Sequence, residues 1–239
     1  MERQNKITRS STRQDLLLAS LVASGAGILG GTADLLLFYT PGFSRDLFLV
    51  RQLPNWRIQA GTLLAIVVIP CMTLGYWALS RHLTNIRKSL ADGIFLGGVF
   101  GVGLGTAIHG TVGTLVQVVQ SNNITIQDVD FIRTYAPIVV PLYALFYLLM
   151  AVGTLLLAWI IWQGKSRLPR WFILLLPLWS NVLILPMGWL IPTLGDYLYP
   201  SIANFSHAVM FSGLAWWTYR DKAMVPGFNP EPSTREPVG

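Results

Sequence analysis

Apolar residues along this chain fall into six long blocks separated by short polar stretches. The blocks cover Leu16–Tyr39, Gln59–Ser80, Leu90–Val119, Tyr135–Trp162, Trp171–Ile191 and Ser201–Tyr219. The hydrocarbon core of a bilayer, about 30 Å thick, is crossed by about 20 predominantly apolar residues in a helix. Backbone amides cannot be left unpaired in lipid, so blocks of this length predict helices. The ten-residue alternation of an outer-membrane barrel is absent. The pattern therefore predicts an all-α fold, an integral membrane bundle of six transmembrane helices.

Composition agrees. Of 239 residues, 53% are hydrophobic and only 12% are charged, whereas about a quarter are charged in a soluble domain. This excludes a disordered chain, a disulfide-stapled secreted domain and a soluble nucleic-acid binder, and it makes the lipid bilayer the expected partner. Cys71 is the single cysteine and has no internal bridging partner. The first apolar block runs unbroken to Tyr39, beyond the roughly 15 residues of a signal-peptide core, so it reads as a retained helix.

The net charge of +6 is a topology signal. Arg3, Lys6, Arg9 and Arg13 precede the first block. Arg81, Arg87 and Lys88 lie between the second and third, Lys165, Arg167 and Arg170 between the fourth and fifth, and Arg220, Lys222 and Arg235 after the sixth. Only Arg45, Arg51, Arg57 and Arg133 belong to the opposite side. Thirteen against four, alternating loop by loop, is a positive-inside pattern. It predicts a multi-pass protein of the cell (inner) membrane with both termini cytoplasmic. Residues 1–15 form a basic arm, 16–220 the membrane domain, and 221–239 a proline-bearing disordered tail. Aromatic residues, Tyr76, Trp77, Trp159 and Trp216 among them, fall at the expected membrane edges. Asp92 reads as a cap at the start of the third helix. His82, in a basic loop, reads as solvated.

Ionisable groups inside a span are costly and face the bundle interior. Asp34, His109 and His207 qualify, with Asn181 and Asn204 as uncharged companions. At 1.5 Å per residue, Asp34, His109, Asn204 and His207 all lie about 3–10 Å from the midplane on the outer side. Asp34 continues a stripe begun by Gly27, Gly30 and Gly31. Gly97, Gly101, Gly105, His109 and Gly113 recur every four residues. Such stripes predict close helix contacts and turn both ionisable residues toward neighbouring helices. Tyr143 and Tyr147 offer hydroxyls to the same region or serve as core packing.

The stretch Gly30-Gly31-Thr32-Ala33-Asp34-Leu35-Leu36, the pair His109-Gly110 and the stretch Asn204-Phe205-Ser206-His207-Ala208 resemble an uncharacterised bacterial family of polytopic membrane proteins of about this size. That family carries no assigned function, so the resemblance implies a fold and no mechanism.

The residues leave several functions open. The leading one is binding of a small or lipid-like molecule, with transport left open, in an outer-half polar pocket lined by Asp34, His109, Asn204, His207 and Asn181. An intramembrane enzyme would use Asp34 to orient a histidine as general acid–base. Asp34, His109 and His207 could hold a catalytic zinc, or the two histidines a haem. A structural subunit of a membrane complex is the remaining reading. Nucleic acid is not an expected partner, and cofactor identity is left open.

Overall fold

The computed structural model describes residues 13–42, 46–83, 86, 88–125 and 128–221, and among these the only regular structure is helical. Arg3, Lys6, Arg9, Arg45, Arg87, Lys222 and Arg235 lie outside the described residues, as does the expected disordered tail. The α-helices among the described residues are α1 (Arg13–Phe38), α2 (Asn55–Val68), α3 (Met72–Arg81), α4 (Lys88–Ser121), α5 (Val129–Trp162), α6 (Pro177–Leu190) and α7 (Pro192–Arg220). Short 3₁₀ turns at Leu47–Gln52, Ile69–Cys71 and Arg170–Leu175 complete the list.

Among the described residues, four helical stretches are long and apolar enough to cross a membrane: Arg13–Phe38, the joined α2–α3 unit Asn55–Arg81, Lys88–Ser121 and Arg133–Trp162. Six such stretches were expected, and proline chemistry accounts for much of the difference. A residue before proline is pushed out of the helical region. Leu176, before Pro177, is extended at φ −68°, ψ 141°. Ile191, before Pro192, leaves the helix at φ −125°, ψ 87°. The expected fifth span is therefore a 3₁₀ turn followed by a helix of 14 residues, about 21 Å long and too short to cross alone. The sixth starts nine residues early at Pro192, whose fixed φ suits a first helical turn. At 29 residues α7 has the length, but Asp196, Asn204, Ser206 and His207 keep it polar. Pro70 likewise breaks α2 from α3 through the 3₁₀ turn.

The bundle is organised around α1, which packs on α2 and α3 on one side and on α7 on the other. α1 and α7 are antiparallel along their whole lengths. Arg13 Nε donates to the Thr218 carbonyl (3.0 Å) at one end, and the Tyr39 and Tyr197 hydroxyls meet at 2.6 Å at the other. Glycines allow the approach: a Cβ on Gly27 would lie 2.7 Å from the Ala208 backbone nitrogen, and one on Gly31 would enter the Phe205 ring. Such small-residue contacts bring the two backbones close and maximise van der Waals packing between the helices. The expected α1 stripe is thus real and faces α7. Outside this core, α4 leans on α2 and α3, and α5 on α4.

The segment between α1 and α2 folds back over the end of α1. Arg57 Nη2 donates to the Leu35 and Tyr39 carbonyls, both at 2.8 Å, satisfying acceptors that a helix end leaves orphaned. Gly42, at φ +87°, turns the chain so that its amide donates to Asp196 Oδ2 (2.8 Å).

At the opposite end basic and aromatic residues pair. Arg13 lies over Tyr219, Arg81 over Trp77, Lys165 over Trp159, Arg170 over Trp162 and Arg220 over Trp216, with the charge 4.8–5.8 Å from each ring centre. Tyr76 departs from the expected edge position and turns into the bundle. Asp92 is exposed in the second turn of α4, past any capping position.

His82 also differs from expectation: it is fully buried. Its carbonyl accepts from the Arg167 amide (2.9 Å). The Thr218 hydroxyl spends its hydrogen on the Leu214 carbonyl, so it accepts from His82 Nε2 at 3.0 Å. His82 Nδ1 is left buried without a partner. Burial, opposed by the Asp221 carboxylate and reinforced by the Arg167 charge, pushes the His82 pKa down to about 4.

Candidate functional site

His109 is fixed by its own helix. Its Nδ1 lies 2.7 Å from the carbonyl of Gly105, one turn back on α4. A carbonyl only accepts, so Nδ1 carries a hydrogen. The other nitrogen, Nε2, faces Asp34 Oδ1 on α1 at 2.6 Å. One proton lies between these two atoms, on imidazolium or on carboxylic acid. The remaining carboxylate oxygen, Oδ2, accepts from Asn204 Nδ2 on α7 at 2.7 Å. Asn204 reaches this position over Gly30, where a Cβ would stand 3.0 Å from the amide carbon. Three helices thus meet at one carboxylate, and Asp34 is 3% exposed.

His207 repeats the arrangement one turn further along α7. Its Nδ1 donates to the Ala203 carbonyl at 2.7 Å, which leaves Nε2 to accept from the Tyr76 hydroxyl of α3 at 2.8 Å. Tyr76 packs edge-on against Phe211 and covers Gly98 of α4.

Both clusters border one cavity of about 680 Å³, walled mainly by apolar side chains. Asp34, His109, Asn204, His207 and Tyr76 contribute to its wall, and α5 closes it with Tyr143, Phe146 and Tyr147. The Tyr143 and Tyr147 rings stack at 6.4 Å.

The α4 glycines do something other than what their spacing predicted. Gly97 and Gly101 border the cavity, and a Cβ on either would meet nothing within 4 Å. Close contact falls instead to Gly98, against Tyr76, and Gly113, against Thr62. Within the stripe itself Gly113 is in close contact and Gly105 in ordinary contact, whereas Gly97 and Gly101 leave room; Gly98 lies one residue off the stripe.

Of the five residues singled out from sequence, Asp34, His109 and Asn204 form one hydrogen-bonded unit, and His207 lines the same space. Asn181 stands apart: its amide donates back to the Pro177 carbonyl at 2.7 Å and lies 3.9 Å from the Met150 sulfur. Tyr76 was missed, because its position near a basic loop reads as a membrane edge. The i−4 spacing of Gly105 to His109 and of Ala203 to His207, a small residue one turn before each histidine, was the signal for the back-bonded rings. Among the described residues, no three His, Cys, Asp or Glu side chains are grouped to hold a metal ion. Both nitrogens of His109 and of His207 are engaged inside the protein, so neither is placed as a haem ligand.

The profile of a family of unknown function, DUF6796, matches residues 12–221, and the chain belongs to that family. No curated protein and no solved structure matches the chain.

Proposed function

We propose that this is a multi-pass protein of the cell membrane, both termini cytoplasmic, that binds and transports a small or lipid-like molecule in the cavity beside Asp34. The carrying observation is that cavity: about 680 Å³, largely apolar, with one hydrogen-bonded Asp–His–Asn unit in its wall. Ligand sites have this size and character, mostly apolar walls with a few converging polar groups. The antiparallel course of α7 beside α1 supports a crossing by α7 too, with the 3₁₀ turn and α6 as its return path. Arg13, His82, Arg167 and Thr218 are bonded together at one end, which supports that end as the basic, cytoplasmic one.

The test is to fill the space. Gly97→Phe and Gly101→Leu place side chains where nothing stands. Native mass spectrometry of protein released from lipid nanodiscs should show a co-purifying amphiphile on the wild type and its loss in both variants at unchanged thermal stability. Equal retention by wild type and variants overturns the reading.

The shared proton of Asp34 and His109 supports a second reading, acid–base chemistry on the bound molecule. Conversion of an added lipid by wild type and not by Asp34→Asn would favour it.

A further inference from the structure

The wall of this cavity has a particular charge balance. Among its described lining residues there is one carboxylate, Asp34, and no lysine or arginine. The Arg57 guanidinium, at the end of α1, is committed to the Leu35 and Tyr39 carbonyls. An anionic head group would enter a low-dielectric space that offers an acid and no permanent cation, which is unfavourable. A cationic head meets the reverse: a carboxylate on one side and the aromatic rings of Tyr143, Phe146 and Tyr147 on the other, a pairing that attracts ammonium groups.

The hydrogen-bond inventory adds a proton. With Nδ1–H held by Gly105 and Oδ2 held by Asn204, the pair His109 Nε2 and Asp34 Oδ1 carries one hydrogen between two atoms. Removing it leaves two adjacent acceptors, a neutral imidazole nitrogen and a carboxylate oxygen. The other proton-bearing or charged groups around the cluster, among the described residues, are Tyr143 and Tyr147 from α5, Tyr76 from α3, Tyr199 and His207 from α7 and Arg57 from α2. The Tyr76 hydroxyl already donates to His207, and Arg57 is directed at carbonyls. Asp34 and His109 are therefore the pair whose proton a cation would replace.

We infer that the ligand is a lipophilic amine in its protonated form, and that it binds in exchange for the proton shared by Asp34 and His109. This rests on the cavity being a binding site and specifies its substrate class. The exchange balances: the ammonium brings one positive charge and its N–H donates to the vacated acceptors, while one proton leaves to bulk water. The net charge of the site is the same before and after. Coupled to transport, this is proton–amine antiport.

The experiment uses full-length protein in phosphatidylcholine nanodiscs, with empty nanodiscs subtracted. Decyldimethylamine, protonated at neutral pH, and uncharged 1-decanol are titrated by calorimetry in two buffers of different ionisation enthalpy. The expected result is tighter binding of the amine than of the alcohol by about tenfold or more, about 1.4 kcal/mol. The buffer dependence should report release of about one proton per amine and none per alcohol. Asp34→Asn should lose the amine preference and the proton release. If the alcohol binds as tightly as the amine, or the amine binds without proton release, the exchange is overturned while the cavity reading stands. If neither probe binds the wild type, the cavity reading itself fails. Should Asp34→Asn not fold, proton release by the wild type alone decides the matter.

Discussion

His109 and Asp34, 75 residues apart in the chain, meet at 2.6 Å, and each is held from behind by a third group. The Gly105 carbonyl fixes one side of the imidazole and the Asn204 amide fixes the far carboxylate oxygen. The pair is thus preorganised, with no freedom to seek other partners. It bonds α1 directly to α4, an element that otherwise packs on α2, α3 and α5.

That linkage predicts strong coupling. Removing one member of a buried charged pair costs about 3–5 kcal/mol, because the other is left uncompensated. Asp34→Ala and His109→Ala should each lower stability by that order, whereas the double variant should cost little more than either alone. Thermal unfolding in detergent, read as a double-mutant cycle, checks this. Additive losses would mean that the two side chains act independently.

The glycines predict a contrast within one residue type. Gly27→Ala drives a methyl into the Ala208 backbone and should destabilise the protein by about 1–3 kcal/mol. Gly101→Ala points into open space and should be neutral or stabilising by about 0.5–1 kcal/mol, since alanine favours a helix over glycine. Paired melting curves measure both. Equal losses would place Gly101 against a neighbouring helix.

Much of this arrangement was legible in the sequence, for reasons that are local. Asp34 and His109 stand out because a charge in an apolar block needs a partner, and helical rise alone put them at one depth. The α1 glycines announced close packing. Other features depend on what lies opposite. The α4 stripe has one spacing throughout, yet Gly113 meets Thr62 while Gly97 and Gly101 meet nothing. Period gives a face and not its occupant. Likewise Pro177 and Pro192 were visible, but their neighbours Leu176 and Ile191 are apolar, and hydropathy masked the breaks. His82 looked solvated because its sequence neighbours are basic, whereas Thr218, 136 residues away, buries it.

Orientation gives a third prediction. The excess of basic residues at the end holding Arg13, His82 and Arg167 should keep that end in the cytoplasm. A reporter fused after Gly239 should be active only as a cytoplasmic probe, and one inserted beside Asn123 only as an external probe. An external C-terminus would require an odd number of crossings.

A fourth prediction concerns acid sensitivity at that same end. His82 is buried as a neutral ring whose Nε2–H is given to Thr218 and whose Nδ1 has no partner. Protonation would create a buried N–H with no acceptor, and the folded-state pKa is accordingly about 4 against 6.5 for a free histidine. Between those values the unfolded chain takes up a proton that the folded chain refuses. The stability contribution of the neutral ring is therefore complete above pH 6.5 and is lost as the pH falls toward 4, by up to about 3 kcal/mol. His82→Gln keeps an amide donor for Thr218 and removes the titration. Wild type and variant should have similar melting temperatures at pH 7.5, and the wild type should fall further than the variant as the pH drops from 6.5 to 4.5. The comparison with the variant cancels the carboxylates that titrate in both. Parallel curves through that window would show that His82 keeps an ordinary pKa in the fold, and with it enough access to water to hold a charge.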